Sequence, residues 1–282
     1  MQHSWQRRIE RAKDLAQADA RAATLLNQYA DILTVQRTCY ETLLTRPEQL
    51  TGSLGRDLAH VRGAAAAAFT AIAACAPANV SAEAPRDAGA IDALLRDGWR
   101  EASIPFLARL VLQPYAEALA ELARADHLRQ GDGGPPKRSA KAEAPAYDRR
   151  PADRNLQPSP GREACPFCGG PPQVSVLRHD SGADGGSRAL ICATCSTAWQ
   201  VRRILCAACG EDDERRLQYF RAPEFDHLRV DACETCRHYL KSVDLTRLGL
   251  AVPVVDEIAS AVLDLWASEH RYTKVTPNLI GL

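Results

Sequence analysis

The sequence lacks the features that send a protein into or across a membrane. It contains no run of about 18 apolar residues, the length at which a transmembrane helix becomes a candidate. Its opening stretch, MQHSWQRRIERAKDL, is polar and lacks the apolar core of a secretory signal. We therefore expect a cytoplasmic protein without a membrane span, whose ten cysteines are metal ligands or free thiols rather than disulfides.

The sequence also lacks an excess of charge of either sign. Lysine and arginine together number 35, and aspartate and glutamate also number 35, so the formal net charge is zero. The cysteine-rich residues 161–245 carry 11 basic and 12 acidic side chains. Because nucleic-acid-binding domains usually show a basic patch, this balance counts against DNA or RNA as the main ligand.

A recognisable catalytic centre is missing as well. The chain shows no Ser/His/Asp set, no phosphate-binding loop and no pair of acids with an interpretable spacing. The sequence therefore predicts a protein that is not an enzyme.

Apolar residues recur at helical intervals over residues 1–130, which are rich in alanine and predict a helical domain. Its last helix is expected to bend or break at Pro114. Residues 131–160 are rich in proline, glycine and charge without apolar periodicity, which predicts a flexible linker.

Residues 246–282 predict a C-terminal helix and tail. The segment VVDEIASAVLDLWASEH has acidic residues in its first turn, where the helix dipole favours negative charge. One apolar face is predicted to carry Val255, Ile258, Val262, Leu265 and Trp266.

Eight of the ten cysteines form four Cys-x-x-Cys pairs, and the last two pairs repeat the first two at an offset of 41 residues. The same offset relates Gly169 to Gly210, Arg188 to Arg229, and Thr194 to Thr235. The segment therefore reads as two copies of one metal ribbon, at residues 161–203 and 204–245.

Two equivalent copies should each close a separate four-sulfur site. Two residues between cysteines allow a tight turn to direct both sulfurs at one ion, and the 23 residues between the pairs suit a short β-hairpin or three-stranded ribbon. A crossed pairing of the four turns stays open, although it would break the equivalence of the copies. The predicted ligands are Cys165, Cys168, Cys192 and Cys195 in the first site, and Cys206, Cys209, Cys233 and Cys236 in the second.

Tetrahedral sulfur coordination fits two mononuclear ions, either zinc or iron of the rubredoxin type. A thiol redox role is the rival interpretation, but a redox Cys-x-x-Cys usually occurs once in a domain, whereas four pairs in register favour ligation. The predicted fold class is α plus small β, with the helical domain followed by two tandem rubredoxin-like or zinc-ribbon units and a C-terminal helix.

Trp199, Arg202 and Arg203 lie at the junction between the two sites. In one interpretation Trp199 packs between the units and the arginines are solvated. In the other, the three residues form a partner-binding surface.

The combination of these motifs resembles the formate dehydrogenase accessory protein family, FdhE. The stretches that carry the resemblance are EACPFCGGPP, LICATCSTAWQVRRILCAACGE, DACETCRHYLKSVDL, VVDEIASAVLDLWASE and TPNLIGL, with a looser similarity at NQYADILTVQ.

The resemblance implies a cytoplasmic, non-catalytic protein that is needed for active formate dehydrogenase. Such proteins bind the catalytic molybdenum- or tungsten-containing subunit before assembly or export, and carry rubredoxin-like sites with iron or zinc. Two other functions stay open: a zinc-ribbon factor that binds nucleic acid, and an iron-based accessory protein that transfers electrons.

Overall fold

The structure of the protein is a computed structural model that describes residues 3–45, 67–68, 70–75, 106–129, 164–179 and 186–278. The predicted linker at 131–160 lies outside these residues, as do most of the helices expected between 46 and 105. Residues 67–68 and 70–75 are helical.

Three long helices form the described N-terminal part: α1 (His3–Ala18), α2 (Ala23–Leu44) and α3 (Phe106–Arg129). The turn between α1 and α2 is closed by Asp19, whose carboxylate accepts a hydrogen bond of 2.9 Å from the backbone N–H of Arg21. Their shared core includes the buried side chains of Trp5, Ile9, Leu26, Ile32 and Leu33.

The sequence predicted a bend or a break at Pro114, and the break is wrong because helix α3 continues through this residue. Proline has no N–H to donate to the carbonyl of Leu110, four residues earlier. That carbonyl instead accepts a hydrogen bond of 2.7 Å from Nε2 of Gln36, a fully buried side chain on α2. The neighbouring helix therefore satisfies the acceptor that proline leaves open, and the helix persists.

The two ribbons are joined in one seven-stranded sheet. The first ribbon consists of β1 (Pro172–Arg178), β2 (Ser187–Cys192) and β3 (Ala198–Val201). The second consists of β4 (Leu217–Phe220), β5 (Leu228–Cys233) and β6 (His238–Asp244). The strand order is β3-β2-β1-β6-β5-β4, and a short β7 (Thr273–Lys274) pairs with β6.

Each ribbon is an antiparallel meander, and the two meet where β1 pairs with β6 in parallel. At this seam Ser175 lies opposite Ser242, and Val176 lies opposite Val243. The predicted fold class is confirmed: helices are followed by two tandem four-cysteine ribbons and a helical C-terminal segment. The continuous sheet that joins the ribbons was not expected.

The predicted C-terminal helix is split into α4 (Pro253–Ala259) and α5 (Ala261–Glu269) by Ser260, whose backbone is not helical (φ −96°, ψ 38°). The break rotates the second half away from the expected apolar face. Val262 and Leu265 are consequently 54% and 52% exposed, so their predicted place on the buried face is wrong.

Four buried charges lie around the break in the helix. The ammonium of Lys241 on β6 donates to the carbonyl of Glu257, and it lies 2.6 Å from a carboxylate oxygen of Asp264. Lys274 on β7 pairs with the same two acids. Burial acts to raise the pKa of Glu257, but the two ammonium groups outweigh it and lower the pKa to about 2.

Within the described residues, no helix combines the length and the hydropathy that crossing a bilayer requires.

Candidate metal centres

The structure brings the eight predicted cysteines together as two separate groups of four. In each group all four sulfurs lie within 4.8 Å of one another. In the first group the Cys165–Cys195 and Cys168–Cys192 sulfur pairs are 3.6 and 3.4 Å apart. In the second, the Cys206–Cys236 and Cys209–Cys233 pairs are 3.7 and 3.8 Å apart.

These distances suit a tetrahedral metal ion. Four sulfurs at about 2.3 Å from a central zinc would lie about 3.8 Å from each other. The grouping matches the uncrossed arrangement, in which each ribbon closes its own site. Each four-cysteine group can therefore hold one metal ion.

Glycine follows the first Cys-x-x-Cys pair of each ribbon and closes the turn. Gly169 and Gly210 follow the Cys-x-x-Cys pairs and have φ values of +73° and +77°. Their N–H groups each donate a 2.9 Å hydrogen bond to the carbonyl of the first cysteine of the pair, Cys165 or Cys206. Glycine adopts this conformation at a lower free-energy cost than other residues, which favours it at this position.

The second turn of each ribbon uses the same backbone conformation without glycine. Ser196 and Arg237 have φ values of 52° and 58°. The Ser196 hydroxyl is held by a 2.6 Å hydrogen bond to Glu117 on α3, and Arg237 forms an ion pair of 2.6 Å with Glu234. Sequence reasoning did not identify these positions, because neither residue type is typical of this region.

Backbone N–H groups point at sulfur atoms in both sites. The N–H of Thr194 lies 3.3 Å from the sulfur of Cys192, and the N–H of Ala208 lies 3.4 Å from that of Cys206. Such donors disperse thiolate charge and stabilise the deprotonated form that binds metal. The donor set therefore fits a tetrathiolate ion.

Gly170 is a further residue that the sequence analysis missed. A Cβ at this position would lie 2.9 Å from Oγ1 of Thr194 and 3.1 Å from the sulfur of Cys192. Close approach of the chain to the first site therefore requires glycine here.

The two sites differ in how much protein covers them. At the first site three cysteines are buried, and Ala116 and Ala120 of α3 pack against them. Glu117, between those alanines, accepts hydrogen bonds from Ser196 and from Arg8 of α1. At the second site two of the four cysteines are half-buried. The first site thus joins the helices to the sheet, and the second lies nearer the surface.

The three residues predicted at the junction have different environments. Trp199 on β3 is half-buried and packs against the first-site cysteines and against a cluster that includes Leu190 and Leu240. Arg202 is exposed and forms an ion pair of 2.8 Å with Asp212. Arg203 is exposed and lines a cavity beside the second site.

An arginine network holds the junction in place. The guanidinium of Arg188, which is 4% exposed, donates to the carbonyl of Leu205 at 2.7 Å and to the hydroxyl of Ser175 at 2.9 Å. It also pairs with Asp231 at 3.3 Å, and Asp231 pairs with Arg229 at 2.7 Å. The repeat offset had related Arg188 to Arg229, but only the structure shows that both contact one carboxylate.

A buried carboxylate, that of Asp256, connects the N-terminal helices to the C-terminal segment. The buried carboxylate of Asp256 accepts two hydrogen bonds from Arg11 of α1, at 2.5 and 3.0 Å, and one from the N–H of Val252. His227 lies 3.0 Å from the same carboxylate. Burial acts to raise the pKa of Asp256, but these partners outweigh it and lower the pKa.

Comparisons with known proteins agree with this architecture. Profiles described as "FdhE, central domain" and "FdhE, C-terminal domain" match residues 164–203 and 204–280. A "Protein FdhE homolog" of Aquifex aeolicus is 41% identical over 117 residues, which span 42% of this chain and 41% of that relative. A "Protein FdhE homolog" of Pseudomonas putida is 30% identical over 223 residues, which span 68% of each chain.

The similarity extends to a solved structure. The crystal structure of the FdhE protein from Pseudomonas aeruginosa matches with a TM-score of 0.62 at 24% identity, covering 99% of this chain and 96% of that one. This match shows that the two share a fold. With the profile matches and the relative from Pseudomonas putida, it follows that the chain belongs to the FdhE family.

Proposed function

We propose that the protein is a non-catalytic accessory protein of the cytoplasm that binds the catalytic subunit of formate dehydrogenase before that subunit is assembled or exported. Membership of the FdhE family supports this proposal. The structural observation that supports it most is that one sheet holds two separate groups of four cysteines.

The two groups hold one ion each, iron or zinc, in this proposal. Bound metal would supply a cross-link between the two Cys-x-x-Cys turns of each ribbon. A structural zinc site contributes on the order of 10–16 kcal/mol to the folding of a small metal-binding unit. The ribbons would then be rigid surfaces for a protein client, and their eight cysteines would have no part in chemistry on that client.

The proposed client surface centres on Trp199, Arg202 and Arg203. The two arginine side chains face solvent, where they can meet acidic groups of a partner. Trp199 packs under the junction, so its role would be to support the surface as well as to contact the client.

Affinity capture of the catalytic subunit from the protein's own host tests this function. We expect Trp199→Ala and Arg203→Glu to reduce capture while both ions are retained by metal analysis. Arg21→Glu is the matched control, because Arg21 is an exposed arginine in the turn between α1 and α2. Failure of the unmodified protein to capture the subunit would contradict the function. Undiminished capture by both variants would contradict the surface only.

Electron transfer through iron is a second candidate function. It is favoured by the second site, where Cys209 and Cys236 are half-buried rather than enclosed, so a redox partner could approach. If iron is bound, the four thiolates of the site would hold it and the iron would supply one-electron chemistry between the ferric and ferrous states. The ferric form would be red, so reduction by added dithionite would be followed as a loss of absorbance. A colourless zinc protein, or a red protein that a reductant does not bleach, would contradict this role.

A further inference from the structure

The two ribbons have the same strand order and follow one another along the sheet. Among the described residues, the last strand of the second ribbon therefore has an unpaired edge, whereas the corresponding strand of the first ribbon is paired on both sides. Strand β5 (Leu228–Cys233) is the repeat equivalent of β2 (Ser187–Cys192), because the residue numbers of the two strands differ by 41. Its neighbour β4 therefore corresponds to β1. Strand β1 pairs on its outer side with β6, whereas β4 ends the sheet and pairs with no second strand in the described part of the chain.

The pairing register identifies the equivalent positions. Ser175 on β1 lies opposite Leu190, and Tyr219 on β4 lies opposite Asp231, which is the repeat equivalent of Leu190. On its other side Ser175 lies opposite Ser242 of a strand that runs parallel to β1. Tyr219 thus occupies the position at which the first ribbon accepts a parallel strand.

A cavity of about 340 Å³ lies over the face of the sheet formed by β4, β5 and β6, and it reaches the edge strand at Leu217, Gln218 and Tyr219. Leu217 and Tyr219 of β4, Ile204 of the junction, and Leu240 of β6 supply apolar surface to it. Ile204 is 44% exposed and Tyr219 is 66% exposed. Binding pockets for small groups start at roughly 300 Å³, so this cavity has room for a large side chain.

Arg203 offers a partner to an acidic group that enters the cavity. The charged side chains that line the cavity are Arg188, Arg203, Arg229, Glu214 and Asp231, and the metal-ligand cysteines Cys206 and Cys233 line it as well, so the cavity as a whole has no excess of positive charge. Asp231 is already engaged by Arg188 and Arg229. Among the described residues no ion pair involves Arg203, which is exposed. A carboxylate that enters beside Arg203 would therefore gain a partner without displacing one.

We propose that the outer edge of β4 and the adjoining cavity bind an extended segment of the client that runs parallel to β4. A large apolar side chain of that segment occupies the cavity, and a neighbouring carboxylate pairs with Arg203. The inference rests on the proposed function, since the client is the catalytic subunit named there. Addition of a strand to a free sheet edge, with alternate side chains in pockets, is an established mode of peptide recognition.

The first test measures affinity of the full-length, metal-loaded protein for the purified catalytic subunit. We expect Ile204→Asp and Tyr219→Ala each to weaken binding about tenfold, as loss of an anchor contact does. Val262→Asp is the matched control, because Val262 is an exposed aliphatic side chain on α5 and is 54% exposed. If the unmodified protein binds and both variants bind equally well, the edge proposal is overturned while the function stands. If the unmodified protein does not bind, both fall.

The second test determines the direction of the bound segment. The photoreactive residue benzoylphenylalanine is placed at Arg216 or at Tyr219, which are both exposed, and cross-linked peptides are identified by mass spectrometry. We expect both positions to label one client segment, with the residue reached from Tyr219 on the C-terminal side of that reached from Arg216, because a parallel segment runs in the same direction as β4. The reverse order, or labelling scattered over the client, would overturn the parallel pairing.

Discussion

Lys241 offers a sharp test of the buried charges that organise the C-terminal segment. Its ammonium is fully buried, lies 3.0 Å from Glu257 and 2.6 Å from Asp264, and shares both acids with Lys274. The variant Lys241→Met keeps much of the apolar stem but leaves two buried carboxylates facing one ammonium. Removing one partner of a buried ion pair costs about 3–5 kcal/mol, and we expect a loss of that size in the free energy of unfolding at pH 7.

The loss should depend on pH, and its sign follows from the pKa values. In the unmodified protein the pKa of Glu257 is lowered from 4.5 to about 2, so its contribution is present above pH 4.5 and is lost as the pH falls towards 2. In the variant, one carboxylate lacks its ammonium, and burial raises its pKa instead. The free energy of unfolding of the variant should therefore fall as the pH rises. The difference in free energy of unfolding between the two proteins should be largest at pH 7 and should become smaller towards pH 5.

Urea unfolding followed by circular dichroism, with excess metal ion present, measures both effects. The control is Lys241→Met combined with Glu257→Gln, which restores one ammonium to one carboxylate and should recover part of the loss and its pH dependence. A single variant within about 1 kcal/mol of the unmodified protein at pH 7 would refute the reasoning. A difference that stays constant between pH 5 and pH 7 would do so as well.

Three further predictions concern the metal sites and the helices. Gly170→Ala should weaken metal binding at the first site and lower the metal content measured by plasma emission spectrometry, because the new Cβ would lie 3.1 Å from the sulfur of Cys192, and a metal content equal to that of the unmodified protein would contradict this. A chromophoric chelator should remove the second ion before the first, because helix α3 covers only the first site, and release in a single phase would contradict this. Gln36→Leu should destabilise the helices by about 1–3 kcal/mol in thermal unfolding, since the carbonyl of Leu110 loses its donor and Pro114 cannot replace it.

The arrangement of the cysteines illustrates what could be predicted from sequence. Four Cys-x-x-Cys pairs at a constant offset predict two equivalent groups, and the structure assembles the same two. This succeeds because the geometry of each turn depends on a few neighbouring residues and on glycine at one position. The positive φ of Ser196 recurs at its repeat equivalent, Arg237, so it belongs to the second Cys-x-x-Cys turn of each ribbon. It could not be predicted in this way, because neither position carries the glycine that would indicate it.

The C-terminal helix illustrates where sequence patterns fail. Its apolar periodicity predicted one continuous helix, yet the chain breaks at Ser260. Helical periodicity depends only on residues of the same segment. The break, in contrast, is associated with a contact from Lys241, which lies on a strand of the sheet. The prediction that Val262 lies on the apolar face of the helix was wrong for the same reason.

By itself the amino-acid order determined the helical character of the N-terminal part and the duplicated ribbon, since both depend on residues close in the chain. It favoured the partition of eight sulfurs into two groups, and the structure decided against the crossed pairing. Only the tertiary structure decided that the ribbons share one sheet, that α3 covers one site and not the other, and that four charges are buried together. Backbone pairing between β1 and β6 leaves no side-chain signature. A charge can be buried only where distant segments bring its partner within reach.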